Sequence, residues 1–165
     1  MANRPPVQIP ASHSLRHGRA LRRGRYSAPA HTYLLTTVTH ARRPLFADFD
    51  AGCMVARTLA HHHHSGRGQT LAWVLMPDHL HWLVTLGETH TLAEAMRAVK
   101  SYVARRLNER DRCSGRRVWQ AGFHDHAVRR DEDLRKLARY VIANPLRAGL
   151  VEQVGDYPFW DAAFL

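Results

Sequence analysis

The chain has 165 residues, enough for one hydrophobic core, with an ordinary balance of 45% hydrophobic and 23% charged residues. Lys and Arg number 24 against 14 Asp and Glu, a formal charge of +10 that favours polyanionic partners. The sequence holds no apolar run of about 18 residues to span a membrane and no apolar h-region after its basic N-terminus; its two distant cysteines, Cys53 and Cys113, argue against a disulfide framework or a zinc ribbon. A reducing cytoplasm is the expected setting.

Residues 1–30 are rich in Arg, Pro, Gly, Ser and His and lack apolar periodicity, which predicts a flexible basic arm ahead of a single domain over 31–165. The β-branched and aromatic run Thr32–Thr39 predicts the first strand. After the turn-like Ala41–Pro44, a helix is expected from Phe46 to about His62, broken by Gly66 and Gly68. The run His61–His64 falls at its end, where it can be a polar helix terminus or an adventitious metal binder. Two apolar segments, 70–76 and 79–86, flank Pro77-Asp78 at hairpin spacing.

Thr91 stands three residues before Glu94, the capping-box arrangement, and opens a helix whose apolar stripe is Leu92, Met96, Val99, Val103 and Leu107. Its other faces carry Arg97, Lys100, Arg105, Arg106 and Arg110. A loop over Cys113–Arg117 and a short strand near Phe123–Val128 follow. Asp131 is then expected to cap a helix from about Glu132 to Ala143, ended by Asn144-Pro145 because a residue before proline avoids the helical region. The order β-α-β-β-α-β-α implies an α+β fold, one antiparallel sheet with helices packed mainly on one face.

In His79-Leu80-His81-Trp82-Leu83-Val84-Thr85-Leu86, alternate side chains point to opposite sides of a strand. Leu80, Trp82, Val84 and Leu86 form a wholly apolar set that must face the core, leaving His79 and His81 together on the other side, roughly 7 Å apart at their backbones. Two imidazoles so placed can converge on one ion and leave positions open for water and phosphate oxygens, which suits Mg²⁺ or Mn²⁺. Two histidines on a solvated strand face would look the same. In the last helix, Lys136, Tyr140 and Asn144 stand four apart and share one side, beside the inward stripe Leu134, Leu137, Ala138 and Val141. A phenol beside a cation can attack phosphorus, and an amide one turn away can serve as a further ligand for a hard cation; a tyrosine at the core boundary is the plainer alternative. His124 and His126 repeat the alternate spacing around Asp125, which fits DNA binding, metal-site support or a structural or solvated role.

These residues lie in longer blocks. Gly24-Arg25-Tyr26-Ser27-Ala28-Pro29, Val38 to Phe46, Val74 to His81, Trp119 to His126, and Tyr140 to Leu150 occur in this order. With them the chain resembles, over about residues 19–160, the REP-associated tyrosine transposases, single-tyrosine HUH transposases of bacterial insertion sequences. The resemblance implies a ferredoxin-like, RRM-like sheet, His79 and His81 as metal ligands with Asn144 completing the site, and Tyr140 as the nucleophile. It implies cleavage of single-stranded, hairpin-forming repeat DNA through a 5′-phosphotyrosine, with Mg²⁺ or Mn²⁺, in a monomer or homodimer associated with the nucleoid and without a membrane partner. Members of the family often have Pro-Gly where this chain has Pro29-Ala30. Arg22, Arg23, Arg25 and Tyr26 in the arm, and Arg97 and Lys100 on the second helix, are the expected DNA contacts. A domesticated hairpin-binding or RNA-binding module that no longer cuts is the competing reading.

Overall fold

In the computed structural model, residues 27–129 and 133–163 are described. The arm residues Arg22, Arg23, Arg25 and Tyr26, and the expected helix cap Asp131, lie outside them.

Strand β1 (Thr32–Val38) alternates as its sequence predicts, with Tyr33, Leu35 and Thr37 buried and the residues between them half-buried. Helix α1 (Phe49–His64) starts three residues later than the pattern suggested, because a 3-10 turn over Leu45–Ala47 precedes it and Asp48 caps it by accepting from the Ala51 N–H. Strands β2 (Gly68–Met76) and β3 (His79–Leu86) form the expected hairpin about Pro77-Asp78, with a bulge between Thr70 and Ala72. Helix α2 (Leu92–Arg110) has both halves of the Thr91/Glu94 capping box, and all five residues of its apolar stripe are buried. Strand β4 (His124–Ala127) is short and exposed. Helix α3 (Leu134–Ile142) is capped by Asp133, whose carboxylate accepts from the Arg135 and Lys136 N–H groups. Asn144-Pro145 ends it and opens a single further turn, α4 (Asn144–Arg147). A fifth strand, β5 (Trp160–Ala162), is an addition to the expected order.

The sheet runs β4-β1-β3-β2-β5, with every neighbouring pair antiparallel. The first four strands have the ferredoxin-like order, in which β3 enters between β1 and β2. One face carries the main core: Tyr33, Leu35, Trp73, Leu75, Leu80, Trp82, Val84 and Leu86 pack against Val55 and Leu59 of α1 and the α2 stripe. Truncating one of these large side chains to alanine costs about 2–5 kcal/mol.

The opposite face is not bare. Helix α3 packs on it, with Ala138 and Ile142 against Leu71, Ala72 and Leu83. Leu83, which alternation assigns to the same side as the histidines, is buried there for this reason. Among the described residues, two long helices therefore lie on one face and the tyrosine helix lies on the other, over the β2 and β5 side.

The turn before β1 bears on the Pro29-Ala30 departure. Ala30 has φ +57°, the left-handed region in which glycine carries no Cβ penalty, and its N–H donates to the Leu86 carbonyl (3.1 Å).

Candidate active site

The strand register builds the site. Across the sheet, His81 on β3 is paired with Thr36 of β1 on one side and Val74 of β2 on the other, and Thr36 in turn with His124 of β4. His79 is likewise flanked by Val38 and Met76. Registered residues share a face, so His79, His81, Val74, Met76, Thr36 and His124 all project to the side on which α3 lies. Val141 of α3 packs on Val74 and Met76, the two residues directly beside the histidines. Tyr140 is the residue before Val141 on that helix.

The two imidazoles are 4.8 Å apart at their centroids and perpendicular. Each has its Nδ1 engaged: that of His79 with Asp78 Oδ1 at 2.5 Å, that of His81 with Thr36 Oγ1 at 2.9 Å. A carboxylate can only accept, so the His79 Nδ1 carries a proton, and in the neutral ring Nε2 is the lone-pair donor. The hydroxyl of Thr36 can donate or accept; either way it fixes the His81 ring and leaves its Nε2 outward. Burial pushes the His81 imidazole down to about 3, with the charges of His79 and Arg147 acting in the same direction and Asp78 opposing them. It is therefore neutral, the form that donates to a cation, throughout the physiological range. Burial disfavours the charge on Asp78, yet the hydrogen bond and charge of His79, together with Arg42, hold its carboxyl below the usual range.

Tyr140 is 39% exposed. The cation beside it is Arg147 of α4, not Lys136: the guanidinium lies over the Tyr140 ring at 3.9 Å from the centroid, and its Nη2 donates to the Tyr140 carbonyl at 2.9 Å. Lys136 is exposed on α3 one turn before the tyrosine. The side-chain nitrogen of Asn144 donates to the Val141 carbonyl (2.7 Å), capping α3. That bond assigns the amide orientation and leaves Oδ1 as its acceptor atom. Among the described residues no group of three or more His, Cys, Asp or Glu gathers as a metal cluster. A histidine pair with both Nδ1 atoms engaged fits a divalent cation that retains water or phosphate oxygens, and an amide oxygen such as that of Asn144 is a suitable class of further donor.

The other candidates are placed elsewhere. Arg97 and Lys100 lie on α2, across the sheet from the histidines. Arg97 is exposed; the Lys100 ammonium donates to the carbonyls of Gln120 (2.7 Å) and Gly122 (2.6 Å) and so anchors the loop that leads into β4. The Leu92 N–H donates to Ser27 Oγ, which places Ser27 at the start of α2, near Arg97. In the His61–His64 run, His62 is buried against Trp82, while His63 Nδ1 accepts from the Thr70 N–H and His64 bonds the Ala60 carbonyl. These are structural contacts of a helix end. Sequence reasoning missed Arg147, Thr36 and the role of Asp78. The signal for Asp78 was present, as an acid directly before the histidine pair; Arg147 and Thr36 become neighbours only through the fold.

A sheet of this order, with a histidine pair on one face and a tyrosine helix laid beside it, defines a tyrosine-transposase scaffold. The family model described as "Transposase IS200 like" matches residues 27–144, and the chain belongs to that family. It is 34% identical over 89 residues to the REP-associated tyrosine transposase of Escherichia coli (strain K12), an alignment covering 53% of this chain and 50% of that protein. A relative from Haemophilus influenzae named in the same terms is 32% identical over 102 residues, 55% of this chain and 57% of its own. The chain thus spans little more than half the length of the curated relatives it matches. A solved REP-associated tyrosine transposase bound to a REP hairpin superposes with a TM-score of 0.68 at 27% identity, covering 82% of this chain and 79% of its own. A Deinococcus radiodurans r1 protein described as a transposase shares the fold at a TM-score of 0.51 and 20% identity, over 74% of this chain and 96% of its own.

Proposed function

We propose that this protein cleaves single-stranded DNA beside a folded hairpin repeat, using Tyr140 as nucleophile and His79, His81 and Asn144 to hold a divalent cation. The observation that supports the reading is the contact of Val141, the residue after Tyr140, with Val74 and Met76, the strand neighbours of His81 and His79. The relative solved with a REP hairpin, together with the +10 charge, supports hairpin DNA as the partner.

The chemistry assigned to the residues is a transesterification. The Tyr140 oxygen attacks a backbone phosphorus as its proton leaves, a Tyr–O–P bond forms, and the P–O3′ bond breaks. The 5′ end is then joined to Tyr140, and the departing oxygen takes up a proton to become a 3′-hydroxyl; bond energy is conserved, so the linkage can be reversed by a new 3′-hydroxyl. Arg147 holds the phenol ring in place and supplies positive charge near the phosphate. His79, His81 and Asn144 would hold Mg²⁺ or Mn²⁺, which when bound withdraws charge from phosphate oxygens. Arg22, Arg23, Arg25, Tyr26 and Arg97 are the proposed grip on the hairpin.

The test is incubation with single-stranded hairpin DNA bearing flanks, with and without Mn²⁺. A denaturation-resistant protein–DNA adduct is expected with metal, and none with chelator. Hairpin binding without any adduct would instead support the non-cutting module.

A further inference from the structure

After β1 the chain reverses through two consecutive non-glycine residues in the left-handed region, Ala41 (φ 56°, ψ 25°) and Arg42 (φ 52°). Residues with a Cβ occupy this region at a cost, and a pair persists only where surrounding bonds over-determine it. Those bonds are present, and they lead to one place. The Thr39 hydroxyl, fully buried, donates to the Arg43 carbonyl (2.8 Å), and Arg43 Nη2 donates to the Arg117 carbonyl (2.6 Å). The Thr39 N–H donates to the Asp78 carbonyl (2.8 Å) and the Phe46 N–H to the Pro77 carbonyl (2.9 Å). The segment 39–46 therefore closes on itself and clamps both carbonyls of the Pro77-Asp78 turn, whose next residue is His79.

The Arg42 side chain completes the clamp. Its Nη1 donates to Asp78 Oδ2 at 2.9 Å, while Oδ1 of the same carboxylate accepts from His79 Nδ1. The terminal torsion of an aspartate is broad, so one hydrogen bond does not fix the plane of its carboxylate; bonds to both oxygens do. The Arg42 side chain is 56% exposed, and ion pairs so exposed add little to stability. The backbone strain is thus not offset by the ion pair itself, which points to orientation of Asp78 as the outcome.

We infer that Arg42 is a positioning residue for His79: held by the strained turn, it fixes the Asp78 carboxylate, which fixes the tautomer and direction of the His79 ring. The inference rests on His79 acting as a metal ligand, as proposed above.

Arg42→Gly removes the guanidinium and relieves the left-handed strain together, which separates positioning from stability. The expected result is a melting temperature no lower than that of the parent, with Mn²⁺ affinity measured by titration calorimetry reduced about tenfold. In metal-free protein at pH 8, ring ¹⁵N shifts should show His79 passing from a single Nδ1–H tautomer to a mixture. Arg42→Lys, which keeps a cation at Asp78, should recover part of the affinity. Parental Mn²⁺ affinity with an unchanged His79 tautomer in Arg42→Gly overturns the inference, whatever its melting temperature. If the parent binds no Mn²⁺ the metal reading itself falls, and the inference with it; parental binding that Arg42→Gly leaves untouched removes only the role of Arg42.

Discussion

The Arg147 guanidinium stacks 3.9 Å from the centroid of the Tyr140 ring and at the same time donates to the Tyr140 backbone carbonyl. One side chain thus fixes both the ring and the end of its helix. Arg147→Ala should lower the rate of adduct formation by about 10–100-fold while leaving hairpin affinity within a few-fold, because misplacing a nucleophile costs more than losing one phosphate contact. Arg147→Lys should recover little, since a lysine lacks the planar, stacking guanidinium. Single-turnover kinetics beside equilibrium binding would separate the two effects. An Arg147→Ala protein that cuts at the parental rate would contradict this role.

His62 predicts the pH dependence of stability. It is 3% exposed, lies edge-on to Trp82 at 4.8 Å, and among the described residues has no hydrogen-bond partner on either ring nitrogen. Burial pushes it from 6.5 down to about 4, with Arg67 adding to the shift. The unfolded chain takes up the proton near pH 6.5 and the folded chain only near 4, so between these values the unfolded state binds more protons. Stability is therefore fully present above pH 6.5 and falls as the pH drops toward 4; His81, pushed to about 3, acts in the same sense. His62→Leu should flatten that fall and stabilise the protein by about 1–2 kcal/mol through loss of the unpaired nitrogens. Thermal melts of both proteins from pH 8 to pH 4 check this, and parallel curves would refute the assignment.

Gly52 on α1 lies under the Phe159 ring, and a Cβ built there would overlap the ring atoms. Phe159 is itself buried and packs in a tilted arrangement on Phe49, with centroids 5.2 Å apart. Gly52→Ala should therefore destabilise the protein by about 1–3 kcal/mol, despite the higher helix propensity of alanine. Chemical denaturation would read the change.

Ala30→Gly should have the opposite sign. Relief of a left-handed Cβ of about 1–2 kcal/mol outweighs the added unfolded-state entropy of about 0.4–1 kcal/mol, for a net gain of up to about 1.6 kcal/mol. An unchanged or lower denaturation midpoint would contradict the strain at this turn.

These sites also mark what the sequence disclosed and what it withheld. Alternation in His79–Leu86 was enough to put both histidines on one side, and the Thr91/Glu94 box and the Asn144-Pro145 stop set helix limits, because each is a local rule of backbone geometry. Alternation could not tell that α3 covers Leu83, nor that β5 pairs with β2, since both depend on where the chain returns after long excursions. Lys136 was favoured as the tyrosine's cation by helical spacing; Arg147 replaces it because Pro145 breaks the helix and turns the next residues back toward the ring. Thr36 reaches His81 through β1–β3 register, which no single-strand pattern encodes.

The central claim is that Tyr140 becomes covalently joined to DNA. Trypsin cleavage after Arg139 and Arg147 frees the peptide Tyr140–Arg147 from its neighbours. Mass spectrometry of the digested adduct, after nuclease trimming, should find a 5′-phosphonucleotide on that peptide's tyrosine, and Tyr140→Phe should yield no adduct while still binding the hairpin. A nucleotide carried by Tyr102 or Tyr157, or an adduct that persists in Tyr140→Phe, would contradict the account.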